Sequence, residues 1–149
     1  MEGSIMKTIY LAYGSNLNLA QMRLRCPTAK PLGTAVLTDY QLLFRGGHGN
    51  AVATVEPKKG GQVPVLLWEI EPDDEKSLDI YEGYPYLYRK ETVTVAYDGQ
   101  EVSAMMYVMN RGRPLSTPNC YYYSTILEGY KDCGFDKAIL KKAVIDSNT

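Results

Sequence analysis

One histidine, one tryptophan, two phenylalanines and three cysteines are scattered through this chain of 149 residues, and each scarcity excludes a chemistry. A zinc centre needs several Cys, His or carboxylate ligands converging on one point, whereas the most closely spaced cysteines, Cys120 and Cys133, stand well apart with no histidine near them. Neither a metal nor any other cofactor is expected. His48 lies in a glycine-rich stretch with nothing adjacent to orient it, and reads as a surface loop residue. Ser15 does not fit the Gly-x-Ser-x-Gly nucleophile elbow, so a serine–histidine or cysteine–histidine couple is not expected either. Cys26, Cys120 and Cys133 read as small buried hydrophobes. Their odd number, with no signal-like pattern across Met1–Lys7, points to free thiols in a reducing compartment, the cytoplasm by default. No apolar run approaches the roughly 20 residues of a membrane-spanning helix. Sixteen Lys and Arg against seventeen Asp and Glu give a net charge of −1, no footprint for a phosphate backbone, so nucleic acid is not an expected partner.

What the chain does have is thirteen tyrosines on an ordinary globular background of 45% hydrophobic and 22% charged residues. With no repeat and no linker, residues 1–149 read as a single domain. Thr8 to Tyr13 is a β-rich run halted by Gly14-Ser15-Asn16. Leu17, Ala20 and Leu24 then fall on one helical face, with Asn16 or Asn18 as the N-cap and Pro27 as the stop. Four strands are expected next, at 35–37, 40–44, 51–55 and 63–70, separated by Gly46–Asn50 and Lys58–Gly61. The last is apolar on both faces and so should be covered on both sides. Glu71-Pro72-Asp73-Asp74 opens a helix that ends at about Glu82 before Gly83. Asp98-Gly99 joins two antiparallel strands through a type I′ turn. Tyr122, Ile126 and Tyr130 mark a helix capped by Thr117 or Asn119, and Phe135, Ile139 and Ala143 mark another. Strands mixed with helices, without regular alternation, make the class α+β.

Two places could carry chemistry. The Tyr13-Gly14-Ser15-Asn16-Leu17 turn places consecutive N–H groups where a helix begins, a cradle for a carboxylate or an oxyanion, though the same pattern serves an ordinary strand-to-helix turn. Glu82 shares a helix face with Leu78 and Tyr81. If Leu78 faces the core, Glu82 is drawn inward, where desolvation and the negative helix end raise its pKa toward that of a general base; otherwise it is a partly exposed residue at a helix end. The tyrosine-rich run Tyr81 to Tyr88 suits a pocket that shelters a small polar molecule from water.

Taken together these residues resemble the γ-glutamylcyclotransferase family, with its AIG2-like and butirosin-pathway groups, over nearly the whole chain. Leu11-Ala12-Tyr13-Gly14-Ser15-Asn16-Leu17 looks like the family's substrate-binding loop. Leu78-Asp79-Ile80-Tyr81-Glu82-Gly83 with Tyr88-Arg89 looks like the segment bearing its catalytic glutamate, and Pro118–Tyr122 with Ile126, Gly129 and Gly134 looks like its C-terminal helix. The resemblance implies a small mixed β-barrel flanked by helices with a pocket at one end. It implies cyclisation of a γ-glutamyl amide to 5-oxoproline with Glu82 as catalytic base, and substrate held by Tyr13, Gly14, Ser15, Asn16, Leu17, Tyr88 and Tyr122. The remaining ten tyrosines are assigned to core, hairpin and surface. The loop reads Gly-Ser-Asn-Leu, not the Gly-Thr-Leu of the γ-glutamylamine branch nor the Gly-Ser-Leu of the glutathione-specific branch, so the leaving group stays open, as does the oligomeric state. A binding module of the same fold without turnover is the alternative.

Overall fold

Thr8–Ala12 (β1) occupies the centre of a five-stranded mixed sheet. It runs antiparallel to Val52–Ile70 (β3) on one side and parallel to Gln100–Met109 (β5) on the other. Lys30–Arg45 (β2) flanks β3 and Tyr88–Tyr97 (β4) flanks β5, giving the order β2-β3-β1-β5-β4. Helices Leu19–Arg25 (α1), Pro72–Glu82 (α2), Cys120–Cys133 (α3) and Lys137–Ser147 (α4) complete the chain. The computed structural model describes residues 7–148; Met1–Met6, read above for a targeting signal, lie outside the described residues. The class is α+β, as expected. The sheet is not closed, so the expected barrel holds only loosely: β2 and β4 are its edges, and it is the Tyr97 hydroxyl, donating to the Leu32 carbonyl at 2.7 Å, that ties one edge to the other.

Burial explains the central strands. Leu11 is fully buried, and along the end of β3 Val63, Val65, Leu66, Leu67, Trp68 and Ile70 are all buried, so both faces of that strand are covered as its sequence requires. No helix in the described residues is long and apolar enough to cross a membrane.

Three expectations need correction. Lys58–Gly61 does not separate two strands; it is a bulge within β3, matched by an irregularity between Thr38 and Tyr40 in β2. Asp39 adopts a positive φ of 64° there and its carboxylate accepts from the Gly60 amide, while a Cβ on Gly61 would collide with the Tyr40 carbonyl oxygen. With four residues of β3 set against the single Asp39 of β2, this one irregularity lets a long ladder bend without breaking, so four short strands become two long ones. Leu17 and Leu24 do not share a face. Leu17 belongs to a 3-10 turn, Ser15–Leu17, and extended backbone at Asn18 resets the helical phase, leaving Leu24 80% exposed and Met22 buried in its place. Asn18, one of the two candidate caps, accepts from the Gln21 amide. Finally, only Cys26 is a buried thiol; Cys120 is exposed at the start of α3 and Cys133 half-buried at its end.

The type I′ turn stands at Asp98-Gly99, with φ of 52° and 75°. Asn119 rather than Thr117 caps α3, accepting from the Tyr122 amide. Asp136 caps α4, which leaves Phe135 outside the helix, edge-on against Tyr130.

Candidate active site

Helix α2 is fixed from both ends before it delivers Glu82. At its start Glu71 and Asp74 form a reciprocal capping box, Asp74 also accepting from the Thr28 hydroxyl. Midway, Asp79 accepts from the Tyr107 hydroxyl at 2.6 Å, and Lys90 bridges Glu75 and Asp79, which ties the helix to the β4–β5 hairpin. Leu78 is fully buried, and Glu82 one turn later is drawn into a small cavity. Gly83 then ends the helix in the left-handed conformation, φ 67°.

The cavity is lined by Tyr10, Tyr13, Gly14, Ser15, Asn16, Ala53, Glu82, Tyr88, Tyr107 and Tyr122. Phenols and backbone surround a single carboxylate. Burial raises the Glu82 pKa to about 7, and the Arg25 guanidinium nearby pulls in the opposite direction. Among the described residues no side chain hydrogen-bonds that carboxylate, so its lone pairs face the cavity. No three His, Cys, Asp or Glu side chains among the described residues converge as metal ligands.

The five phenols are not equivalent. Tyr13 donates to the Tyr107 carbonyl, Tyr88 to the Ala53 carbonyl and Tyr107 to Asp79, so their protons are committed to the protein. Tyr122, in contrast, accepts from the Ala53 amide at 3.0 Å, and Tyr10 accepts from Asn16 Nδ2 at 2.9 Å. Both keep a proton without an acceptor among the described residues. Burial raises the pKa of both hydroxyls, so each remains a neutral donor at physiological pH.

Arg25 decides the orientation of Asn16. A guanidinium only donates, and Nη1 of Arg25 bonds Asn16 Oδ1, which turns the amide nitrogen toward Tyr10. The same guanidinium rests 3.6 Å from the centre of the Tyr81 ring, whose hydroxyl is 3.1 Å from Ser15 Oγ. Trp68 Nε1 donates to the Asn16 carbonyl, so the loop is held from three sides. The Leu17 and Asn18 amides bond the Gly14 and Ser15 carbonyls, whereas those of Ser15 and Asn16 have no acceptor among the described residues.

Of the residues singled out from the sequence, Tyr13, Gly14, Ser15, Asn16, Glu82, Tyr88 and Tyr122 meet at this cavity. Leu17 does not line it: its side chain is fully buried beneath Gly129 of α3, and its amide closes the 3-10 turn. The tyrosine-rich run divides. Tyr88 lines the cavity and Tyr81 touches Ser15, but Tyr84 covers Lys90 and Tyr86 is 86% exposed. Tyr10 and Tyr107, placed among the ten structural tyrosines, also line the site. Tyr10 lies in the first strand next to the marked loop, which was the available signal; nothing in the sequence marks Tyr107 or Arg25.

The description "Gamma-glutamyl cyclotransferase, AIG2-like" matches residues 10–125, which contain every cavity residue. A bovine (Bos taurus) protein named gamma-glutamylcyclotransferase is 30% identical over 143 residues, covering 90% of this chain and 76% of its own length. A human (Homo sapiens) protein of the same name is 30% identical over 135 residues, 85% and 71% of the respective chains. Among solved structures, one titled gamma-glutamyl cyclotransferase superposes with a TM-score of 0.80 at 28% identity, covering 93% of this chain and 86% of the other. With the family's description spanning residues 10–125 and the fold shared over 93% of the chain, the chain belongs to the gamma-glutamyl cyclotransferase, AIG2-like family.

Proposed function

We propose that the cavity cyclises a γ-glutamyl amide, a dipeptide or an amine conjugate, to 5-oxoproline and frees the attached amine. The substrate's α-nitrogen attacks its own γ-carbonyl carbon; that C–N bond forms as the γ-amide C–N bond breaks. Glu82 takes the proton that the α-nitrogen must lose and returns it to the departing nitrogen. The observation that carries this reading is a lone carboxylate with a pKa of about 7 facing a cavity otherwise lined by neutral groups. The Ser15 and Asn16 amides with the Tyr10 and Tyr122 hydroxyls supply donors for the substrate carboxylate and for the oxygen that gains charge. Tyr13, Tyr88 and Tyr107, their protons engaged elsewhere, shape the walls that fold the glutamyl chain toward attack. The three unpaired thiols accord with a reducing compartment, and the cytoplasm is the proposed location.

The test is a mass-spectrometric screen of the purified protein against γ-glutamyl dipeptides and γ-glutamylamines. Release of 5-oxoproline is expected; thermal stabilisation by these compounds without product would establish the binding module instead. Two variants refine the roles. Arg25→Met removes the positive charge that holds the Glu82 pKa down, so the acidic limb of the kcat/KM profile moves to higher pH, while Arg25→Lys keeps it close to wild type. Tyr122→Phe removes one of the two uncommitted hydroxyl protons and lowers kcat/KM by about tenfold, the scale of one hydrogen bond to a charged group; an unchanged value would take Tyr122 out of the donor set.

A further inference from the structure

The chain has six arginines, and four of them, Arg45, Arg89, Arg111 and Arg113, line one groove away from the reaction cavity. The two sites share no lining residue. Along β4, Tyr88 faces the reaction cavity, so Arg89 projects from the opposite face, as does Glu91. The groove lies where β2 curls toward β4, and Tyr40 of β2 stands close enough to Arg89 and Glu91 for both charges to act on its hydroxyl.

Two of the guanidiniums are already oriented. Arg45 grips both oxygens of Glu56 and the Arg113 carbonyl, and Arg89 grips Glu91 and the Met109 carbonyl. The other two sit on an anchored loop. The Asn110 amide group donates to the Pro85 and Tyr86 carbonyls, its backbone N–H to Leu87, and beyond the loop Gly46 donates to Pro114. Arg111 and Arg113 are therefore held at the groove, and among the described residues neither side chain has a carboxylate partner. Four cations against Glu56 and Glu91 leave an excess of two positive charges in a chain whose net charge is −1. The lining is rich in donors, with the Tyr40 hydroxyl near Arg89.

We propose that this groove is a second ligand site, for a small oxyanion carrying two or more negative charges, a phosphate or a polycarboxylate. Planar guanidiniums bind such oxygens in pairs, and the fixed Arg45 and Arg89 reduce the ordering cost of doing so. The occupied groove would also relieve the repulsion among its own arginines.

The full chain should be titrated with inorganic phosphate, pyrophosphate and citrate at constant ionic strength, following backbone amides by ¹H–¹⁵N NMR. Saturable shifts centred on Arg111, Gly112 and Arg113 are expected, and the tightest of the three anions names the class. Arg111→Ala/Arg113→Ala should weaken that binding by about tenfold or more, the scale of charge-assisted hydrogen bonds. Glu82→Gln, in the separate reaction cavity, should bind as wild type does. Shifts spread over the surface lysines, affinity unchanged in the double arginine variant, or no saturation with any of the three anions would overturn the proposal, whatever the fate of the cyclisation reading.

Discussion

Glu82→Gln is expected to lower kcat for 5-oxoproline release by about 10²–10⁴-fold, the usual worth of a positioned acid–base group, while the protein stays folded. The carboxamide fills the same space but cannot take the proton from the substrate α-nitrogen. Because no side chain among the described residues bonds the carboxylate, no internal partner is orphaned by the change. Stability should move the other way. Burial raises the folded-state pKa of Glu82 to about 7, above its unfolded value, so between the ordinary carboxylate range and about 7 the folded state binds more protons than the unfolded one. Wild type then loses stability as pH rises through that window, by about 1.4 kcal/mol per pH unit at most. The variant carries no such charge, so above pH 7 it should melt later than wild type. Steady-state kinetics with thermal melts at pH 5 and pH 8 check both halves. Turnover equal to wild type would remove Glu82 from its role, and identical melting differences at the two pH values would show that its ionisation is not linked to folding.

Gly129→Ala is expected to destabilise the fold by about 1–3 kcal/mol, the range for overpacked cores. At this point in α3 a Cβ would stand 2.7 Å from the Leu17 carbonyl carbon and Leu17 Cβ, and 2.9 Å from the Asn18 amide nitrogen. Two of these three atoms are backbone, so a rotamer change cannot relieve the clash. Either α3 retreats, carrying Tyr122 with it, or the 3-10 turn shifts and carries Ser15 and Asn16. Activity should therefore fall along with Tm, by about 2–4 °C for each kcal/mol in a chain of this length. Gly47→Ala is the control, since a methyl group there would meet nothing within 4 Å and the residue is exposed. Equal melting temperatures for Gly129→Ala and wild type would mean that helix and loop do not pack as closely as described.

Both predictions concern groups of different legibility. Glu82 was legible in part: Leu78 one turn earlier and Gly83 just after it mark the shared face and the end of α2, and the burial of Leu78 in the folded protein decides that this face turns inward. The hairpin at Asp98-Gly99 was legible from local sequence, two residues suited to positive φ between β-rich runs. The long bent ladder of β2 and β3 was not. Gly60 and Gly61 have the composition of a turn, and only the facing irregularity at Asp39 makes them a bulge. Leu24 misled in a related way, because helical periodicity counted across Asn18 assumes a continuous helix that the 3-10 turn interrupts.

By itself, then, the sequence determined the α+β class and the glycine-bearing loop after β1, properties carried by neighbours along the chain. It left Glu82 between an inward and a partly exposed position, and reached Tyr13, Tyr88 and Tyr122 only through the family resemblance. Tertiary structure decided which phenols keep a free proton, since that depends on whether Ala53 offers its carbonyl to Tyr88 or its amide to Tyr122. It also decided that Arg25 orients Asn16, and that four arginines from three separate segments share one groove. Hydrogen-bond direction and charge convergence are set by the relative placement of elements distant in sequence, and periodicity within any single element carries no record of that placement.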